Sequence, residues 1–285
     1  MNLEGKVAVV TGGGRGIGKA IAIDFAKNGA DVVVAARTVS EIENVAEEIR
    51  KLGQKSLAIR TDMTKEEDIK DLISKSFEEF NKIDILVNNA GVSGASPIAK
   101  MKTKEWDLIM AVNLRGVMIA TREVLKIMKK QKSGCIINIS SGFGIEGQLY
   151  LSAYGVSKAG LLLFANVLAK EEKHVKVYTI NPGLIDTRLA GGSLGKKEPP
   201  EIIGPIASYL ASDENKLLSG TVVKRIQLDN MKAAISPLIQ GRTYSDWKTL
   251  FKEINHQLSE KILRNIKKYN KMMPFLFRDY LKPMK

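Results

Sequence analysis

Apolar residues along the chain follow two rhythms that take turns. Short runs rich in β-branched and apolar residues fall at 6–10, 31–36, 56–60, 83–87, 135–140, 175–180 and 221–228. Each has the length of a strand, and the Ile-rich run 135–140 reads as buried on both faces. Between them, apolar residues recur at helical spacing over 17–28, 40–52, 65–80, 104–130, 154–173 and 199–211; in the first of these Ile21, Ala22 and Phe25 share one side. Strand and helix alternate with no internal repeat and no low-complexity stretch. This pattern predicts an α/β fold built on one doubly wound parallel sheet. A chain of 285 residues, 44% of them hydrophobic, can bury such a core as one domain over 1–230. A mostly helical extension, 231–285, follows it.

Candidate chemistry gathers at the carboxyl ends of the predicted strands, where ligands of parallel sheets collect. The first strand runs straight into Thr11-Gly12-Gly13-Gly14-Arg15-Gly16-Ile17-Gly18, and a helix follows. Glycines there let backbone approach a pyrophosphate, and the helix amino terminus offers free N–H groups and a positive dipole end. A P-loop is nearly complete at Gly13 and Gly18-Lys19, but Ala20 stands where a hydroxyl must reach magnesium. The spacing GxGxxG fails as well. TGxxxGxG fits, through Thr11, Gly12, Gly16 and Gly18.

The end of the second strand bears on the choice of nucleotide. An acidic residue there would bind an adenosine ribose and repel a 2′-phosphate. This chain has Ala36-Arg37 instead, and Arg15 stands in the glycine turn. Two guanidiniums favour the 2′-phosphate through charge-assisted bonds, which points to NADP(H). The fourth strand ends in Asn88-Asn89-Ala90-Gly91, residues suited to a tight turn. Asn113 lies in the middle of a predicted helix, where Asn is a mediocre residue, and so hints at a task. Tyr154 and Lys158 are four residues apart and share a helix face. A lysine cation there favours the phenolate, which predicts a phenol pKa below its usual value of about 10 and a proton donor or acceptor near neutral pH.

Charge, cysteine and histidine narrow the classes. The formal charge is +13, but residues 231–285 hold 12 Lys/Arg against 4 Asp/Glu, so +8 belongs to the extension and +5 to the rest. The excess describes an appendage rather than a nucleic-acid-binding domain. A single Cys135 excludes an internal disulfide and fits a reducing cytoplasm, and with only His174 and His256 a His/Cys metal site is not expected. No run approaches the roughly 18 apolar residues of a membrane span. The strand pattern begins within a few residues of Met1, leaving no room for a signal peptide.

Together these residues resemble the short-chain dehydrogenase/reductase family, over about residues 4–229, with Thr11 to Gly18, Asp62, Asn88 to Gly91, Asn113, Ser141, Tyr154, Lys158 and Asn181-Pro182-Gly183 in the family's order. The resemblance implies a Rossmann-type fold and hydride transfer between NADP(H) and a small-molecule carbonyl or alcohol. It implies Tyr154 as general acid/base, Lys158 lowering its pKa and holding the nicotinamide ribose, Ser141 bonding the substrate oxygen, and Asn113 supporting a water-linked proton relay to Lys158. The cofactor-binding set it implies is Gly12, Gly14, Arg15, Gly16, Ile17, Gly18, Arg37, Asp62, Met63, Asn89, Ala90, Gly91, Tyr154, Lys158, Pro182, Gly183, Ile185 and Thr187. Within that set Asp62 faces the adenine, Asn89 stiffens the pocket and Thr187 contacts the carboxamide. Homodimers or homotetramers are implied too. The chain departs from the family pattern in the short segment 184–198, where many relatives place a longer lid, and in Asp229-Asn230-Met231 after the last strand.

Other classes stay in view. Gly155-Val156-Ser157-Lys158-Ala159 echoes a hydrolase elbow, but that elbow must follow a strand directly and Ser157 falls inside a helix. A non-catalytic NADP(H)-sensing protein of the same fold has no need of Ser141, Tyr154 and Lys158 together. The basic extension leaves nucleic-acid or membrane-surface binding as a further alternative, told apart by steep salt dependence. Its residues Tyr244, Trp247, Phe251, Ile254, Leu258 and Ile262 recur at helical steps over 244–269. That stripe is expected to pack on the core or on a second subunit and to help roof the substrate cleft.

Overall fold

The computed structural model describes residues 1–190 and 196–224. The expected extension, with its apolar stripe, and the last part of the seventh predicted strand lie outside the described residues. The described chain runs β1 (Val7–Thr11), α1 (Gly16–Lys27), β2 (Asp31–Ala36), α2 (Val39–Lys51), β3 (Ser56–Arg60), α3 (Glu66–Phe80) and β4 (Ile85–Asn88). It continues through α4 (Thr103–Met110), α5 (Gly116–Gln131), β5 (Gly134–Ile139), α6 (Ser152–Glu171), β6 (Val175–Asn181), α7 (Gly204–Ala211) and β7 (Val222–Lys224).

The strands form one sheet in the order β3-β2-β1-β4-β5-β6-β7, every pair parallel. From β1 the chain winds outward to β3 and then crosses back to β4. The carboxyl ends of β1 and β4 therefore flank the switch point, where a doubly wound sheet opens a crevice. Register keeps the strand ends level, with Val10 beside Val87, Ala36 beside Arg60, Asn88 beside Asn138 and Ile139 beside Ile180.

Both faces of the sheet are covered, which explains why its strands are so continuously apolar. Successive residues of a strand point to opposite faces. Ala8, Val10, Val32, Val34 and Val87 pack under Ile21 and Phe25 of α1, Ile42 and Ile49 of α2, and Leu210 of α7. Val9, Val33, Leu86, Ile136 and Val177 pack under Leu72 of α3, Val124 and Met128 of α5, and Leu168 of α6. Among the buried polar exceptions, Asn88 and Asn138 are register partners and bond each other, Asn88 Nδ2 donating to Asn138 Oδ1 at 2.9 Å.

Two helices differ from the sequence pattern. The stretch 104–130 is not one helix: a π-helical turn, Ala111–Arg115, separates α4 from α5. Asn113 lies in that turn, and its amide is spent on the backbone of Val92 rather than on its own helix. The stretch 199–211 opens as a 3-10 turn, Pro200–Ile203, before α7. Pro205 has no N–H to return to Glu201, so the α-helical ladder starts only around it.

Among the described residues one helix, α6, has the length and mean hydropathy (1.2) of a membrane span. Its Tyr154, Ser157 and Lys158 are buried and its Leu168 enters the sheet core, so here it serves as a core helix.

Candidate active site

The glycine turn joins β1 to α1 at the crevice. A side-chain carbon on Gly18 would lie 2.2 Å from Gly12 O and 2.4 Å from Asn89 Nδ2, so only glycine lets α1 start so close to the sheet. Arg15 occupies the N-cap position of α1 but makes no side-chain cap bond, and the first turn holds no acidic residue. The amino end of α1 thus presents uncapped N–H groups and the positive end of its dipole, a fit for a diphosphate.

Thr11 ties this turn to the end of β4. Its hydroxyl donates to Val87 O at 3.1 Å and accepts from Asn89 N at 3.1 Å and Ala90 N at 3.2 Å. Asn89 returns the link, donating Nδ2 to Thr11 O at 2.9 Å and Gly12 O at 3.1 Å. Asn89 and Ala90 are therefore fixed against Gly12, while Gly91 comes next to Asn113 and Lys158. A carbon on Gly91 would be 3.5 Å from Asn113 Oδ1 and 3.7 Å from Lys158 Nζ. Thr11 belongs to the motif, yet its part as the hub depends on β4 being its neighbour.

At the far side of the switch point, Arg37 is exposed just past β2 and Asp62 follows β3. Burial alone would raise the Asp62 carboxyl, but bonds from Thr64 and the charges of Arg37 and Lys65 outweigh it and hold the pKa below the usual carboxylate range. Met63 is buried, with its backbone against the start of α5: a carbon on Gly116 would be 2.5 Å from Met63 O.

The other end of the crevice is built by β5 and α6. Ser141 follows β5, and its hydroxyl accepts from Phe143 N at 3.3 Å. Tyr154 sits in the first turn of α6, buried; burial raises its pKa and a hydrogen bond with Ser141 draws it back. One turn on, Lys158 is buried as well. Its ammonium lies 5.7 Å from the centre of the Tyr154 ring and donates to Ile139 O at 2.9 Å. Burial pushes its pKa down to about 8. The expected depression of Tyr154 by its lysine is not what this state shows, because loss of hydration dominates both groups. Asn113 braces the arrangement. It accepts from Val92 N at 2.9 Å and donates to Val92 O at 2.9 Å and Ser157 Oγ at 3.0 Å, and Ser157 Oγ donates to Tyr154 O at 2.7 Å.

Beyond β6 the chain turns at Pro182-Gly183, where Gly183 has φ +77. Ile185 is buried, and Asp186 N donates to Glu198 O at 2.8 Å. Thr187 then reaches back over the glycine turn, its Cγ2 lying 3.1 Å from where a carbon on Gly16 would be. The structure therefore brings the sequence candidates to one edge in two groups: residues around Gly12–Gly18 and Arg37, whose backbone N–H groups and charge suit a phosphate, and Ser141, Tyr154 and Lys158, whose side chains can carry a proton. Unforeseen by sequence are the bracing role of Ser157 and a carboxylate, Glu41, that holds Arg15 at 2.9 Å.

The chain is similar to known proteins in sequence and in fold. A family model described as short chain dehydrogenase matches residues 6–197. The chain is 34% identical over 238 residues to the 3-oxoacyl-[acyl-carrier-protein] reductase FabG of Thermotoga maritima, covering 78% of this chain and 97% of that one. A short-chain type dehydrogenase/reductase from Mycobacterium marinum superposes with a TM-score of 0.74 at 31% identity, over 78% of this chain and 94% of that one. Levodione reductase superposes with a TM-score of 0.74 at 26% identity, over 78% and 96%. With a family model over residues 6–197 and a relative 34% identical over 78% of its length, the chain belongs to the short-chain dehydrogenase/reductase family of oxidoreductases.

Proposed function

We propose that this protein is an NADP(H)-dependent oxidoreductase that interconverts a carbonyl compound and the corresponding secondary alcohol, with Tyr154 as general acid/base. The observation that carries the reading is the meeting of Ser141, Tyr154 and Lys158 at the crevice end opposite the uncapped α1 terminus. A 3-oxoacyl thioester is the first substrate class to try, because the relatives include 3-oxoacyl-[acyl-carrier-protein] reductases.

The nicotinamide, when bound, gives or takes the hydride. The protein's share is to bind, orient and move the proton. Gly12, Gly14, Gly16, Ile17 and Gly18 form the phosphate turn; Arg15 and Arg37 supply positive charge toward a 2′-phosphate; Asp62 and Met63 border the adenine side. Asn89, Ala90, Gly91, Pro182, Gly183, Ile185 and Thr187 line the path toward the nicotinamide. In reduction, Tyr154 donates its phenolic proton to the oxygen that becomes a hydroxyl, and Ser141 donates a hydrogen bond to the same oxygen as its charge develops. Lys158 uses one of three ammonium hydrogens on Ile139 O, so the others can serve the ribose and, through water held near Asn113, a proton path. The same reading takes the protein as a homo-oligomer, since Met118, Leu163 and Val167 leave an exposed apolar groove between α5 and α6. It also keeps 231–285 as a separate basic extension.

The test replaces one atom. Tyr154→Phe keeps the ring and removes the proton, so turnover of any accepted carbonyl with NADPH should fall by at least about a hundredfold while NADPH affinity is kept. Substantial turnover in that variant would overturn the assignment of Tyr154.

A further inference from the structure

Glu41 lies in the first turn of α2, just past the loop that carries Arg37. Its Oε1 receives Arg15 Nη1 at 2.9 Å, its Oε2 lies 3.4 Å from the same nitrogen, and Arg188 Nη2 stands 3.6 Å from Oε1. The carboxylate also leans on the glycine turn: a carbon on Gly14 would lie 2.9 Å from Glu41 Cβ and 3.4 Å from its Oε2. One anion is therefore shared by an arginine of the β1–α1 turn and an arginine of the segment after β6. An acid in a helix's first turn is favoured by the dipole alone. That accounts for a carboxylate at this position but not for two guanidiniums converging on it from separate parts of the fold.

We propose that Glu41 sets the strength of discrimination between NADPH and NADH, as an internal anion that engages Arg15 and Arg188 in the free protein and that a ribose phosphate must displace. The inference rests on the NADP(H) reading above and adds to it a residue that opposes the phosphate. The side chains of Arg15 and Glu41 are 48% and 27% exposed, so their pairing is a weak, solvent-screened one that a doubly charged phosphate can outcompete. Displacement leaves the carboxylate near the incoming 2′-phosphate, and that added repulsion weighs most on the cofactor that carries the extra phosphate. Thr187, beside Gly16, and Arg188, beside Glu41, are consecutive residues, so the same contact holds the segment after β6 across the phosphate turn.

The experiment is direct binding of NADPH and NADH to the full chain without substrate, followed by nucleotide fluorescence or calorimetry. Glu41→Gln preserves shape and removes the charge, and is expected to tighten NADPH about three- to tenfold with NADH unchanged. In an Arg15→Ala background the same change should give a smaller gain, because one of the two competed groups is gone. Weaker or unaltered NADPH binding in Glu41→Gln would mean that Glu41 serves only to position Arg15, and would overturn the inference. So would equal tightening of both cofactors, a mere effect of net charge. Failure of the unaltered protein to favour NADPH over NADH is a separate result that removes the cofactor reading and this inference with it.

Discussion

Burial pushes Tyr154 and Lys158 away from their charged forms, the phenol upward and the ammonium down to about 8. The phenol thus keeps its proton through the neutral range, as a donor in carbonyl reduction must, whereas alcohol oxidation needs it ionised. Reduction is therefore expected to hold steady near neutral pH and fall in alkali, while oxidation climbs with pH; kcat/KM profiles in both directions check this, and an oxidation rate that falls from about pH 7 to 9 contradicts it. Lys158 carries a matching stability signature. Between about 8 and the ordinary 10.5 the folded protein binds fewer protons at this site than the unfolded chain. Its contribution to stability rises with pH across that window and is lost as pH falls through the lower value, a slope that Lys158→Met should remove from denaturant titrations. At the adenosine end, Arg37→Ala should cost about ten- to hundredfold in NADPH affinity, from the loss of one charge-assisted contact of about 1.5–3 kcal/mol, and leave NADH binding unchanged in the same titration.

Helix α5 owes its position to an absence. Gly116 lets its first turn meet the backbone of Met63, and a backbone oxygen 2.5 Å from any added carbon cannot move aside as a flexible side chain would. Gly116→Val should cost roughly 2–4 kcal/mol in chemical denaturation, more than the helix-propensity gain returns, and a stability equal to the unaltered protein's would rule out this packing. None of this is visible along 104–130, where the periodicity reads as one unbroken helix. The causes lie elsewhere in the chain, at Met63 for Gly116 and at Val92 for the π turn that carries Asn113. The first six strands were legible to within a residue or two because their apolar runs register directly which positions face the two cores. The site was legible where a residue's own chemistry announces it, as for Tyr154, Lys158 and the glycine turn. It was not legible where the partner is supplied by the fold: Thr11 as a hub needs β4 beside β1, Glu41 needs Arg15 from the turn before α1, and the carbonyl that anchors Lys158 belongs to Ile139.

At the largest scale, the described residues form a sheet whose first strand lies in its interior. β1 pairs with β2 on one side but must wait for β4 on the other, and the Thr11 hydroxyl reaches a carbonyl 76 residues further on. The proton-handling end waits longer still, since β5 lies between β4 and a sixth strand that ends at Asn181. Pairings of such long sequence separation are slow to form, because the loop must close before the contact rewards it. A dinucleotide bound as proposed would therefore have no partial host: neither the first three strands alone nor the later ones alone contain the crevice between β1 and β4. Ligand at a hundred times its dissociation constant adds about 2.7 kcal/mol to the finished fold and nothing to its fragments, so occupancy sorts completed chains from those still assembling.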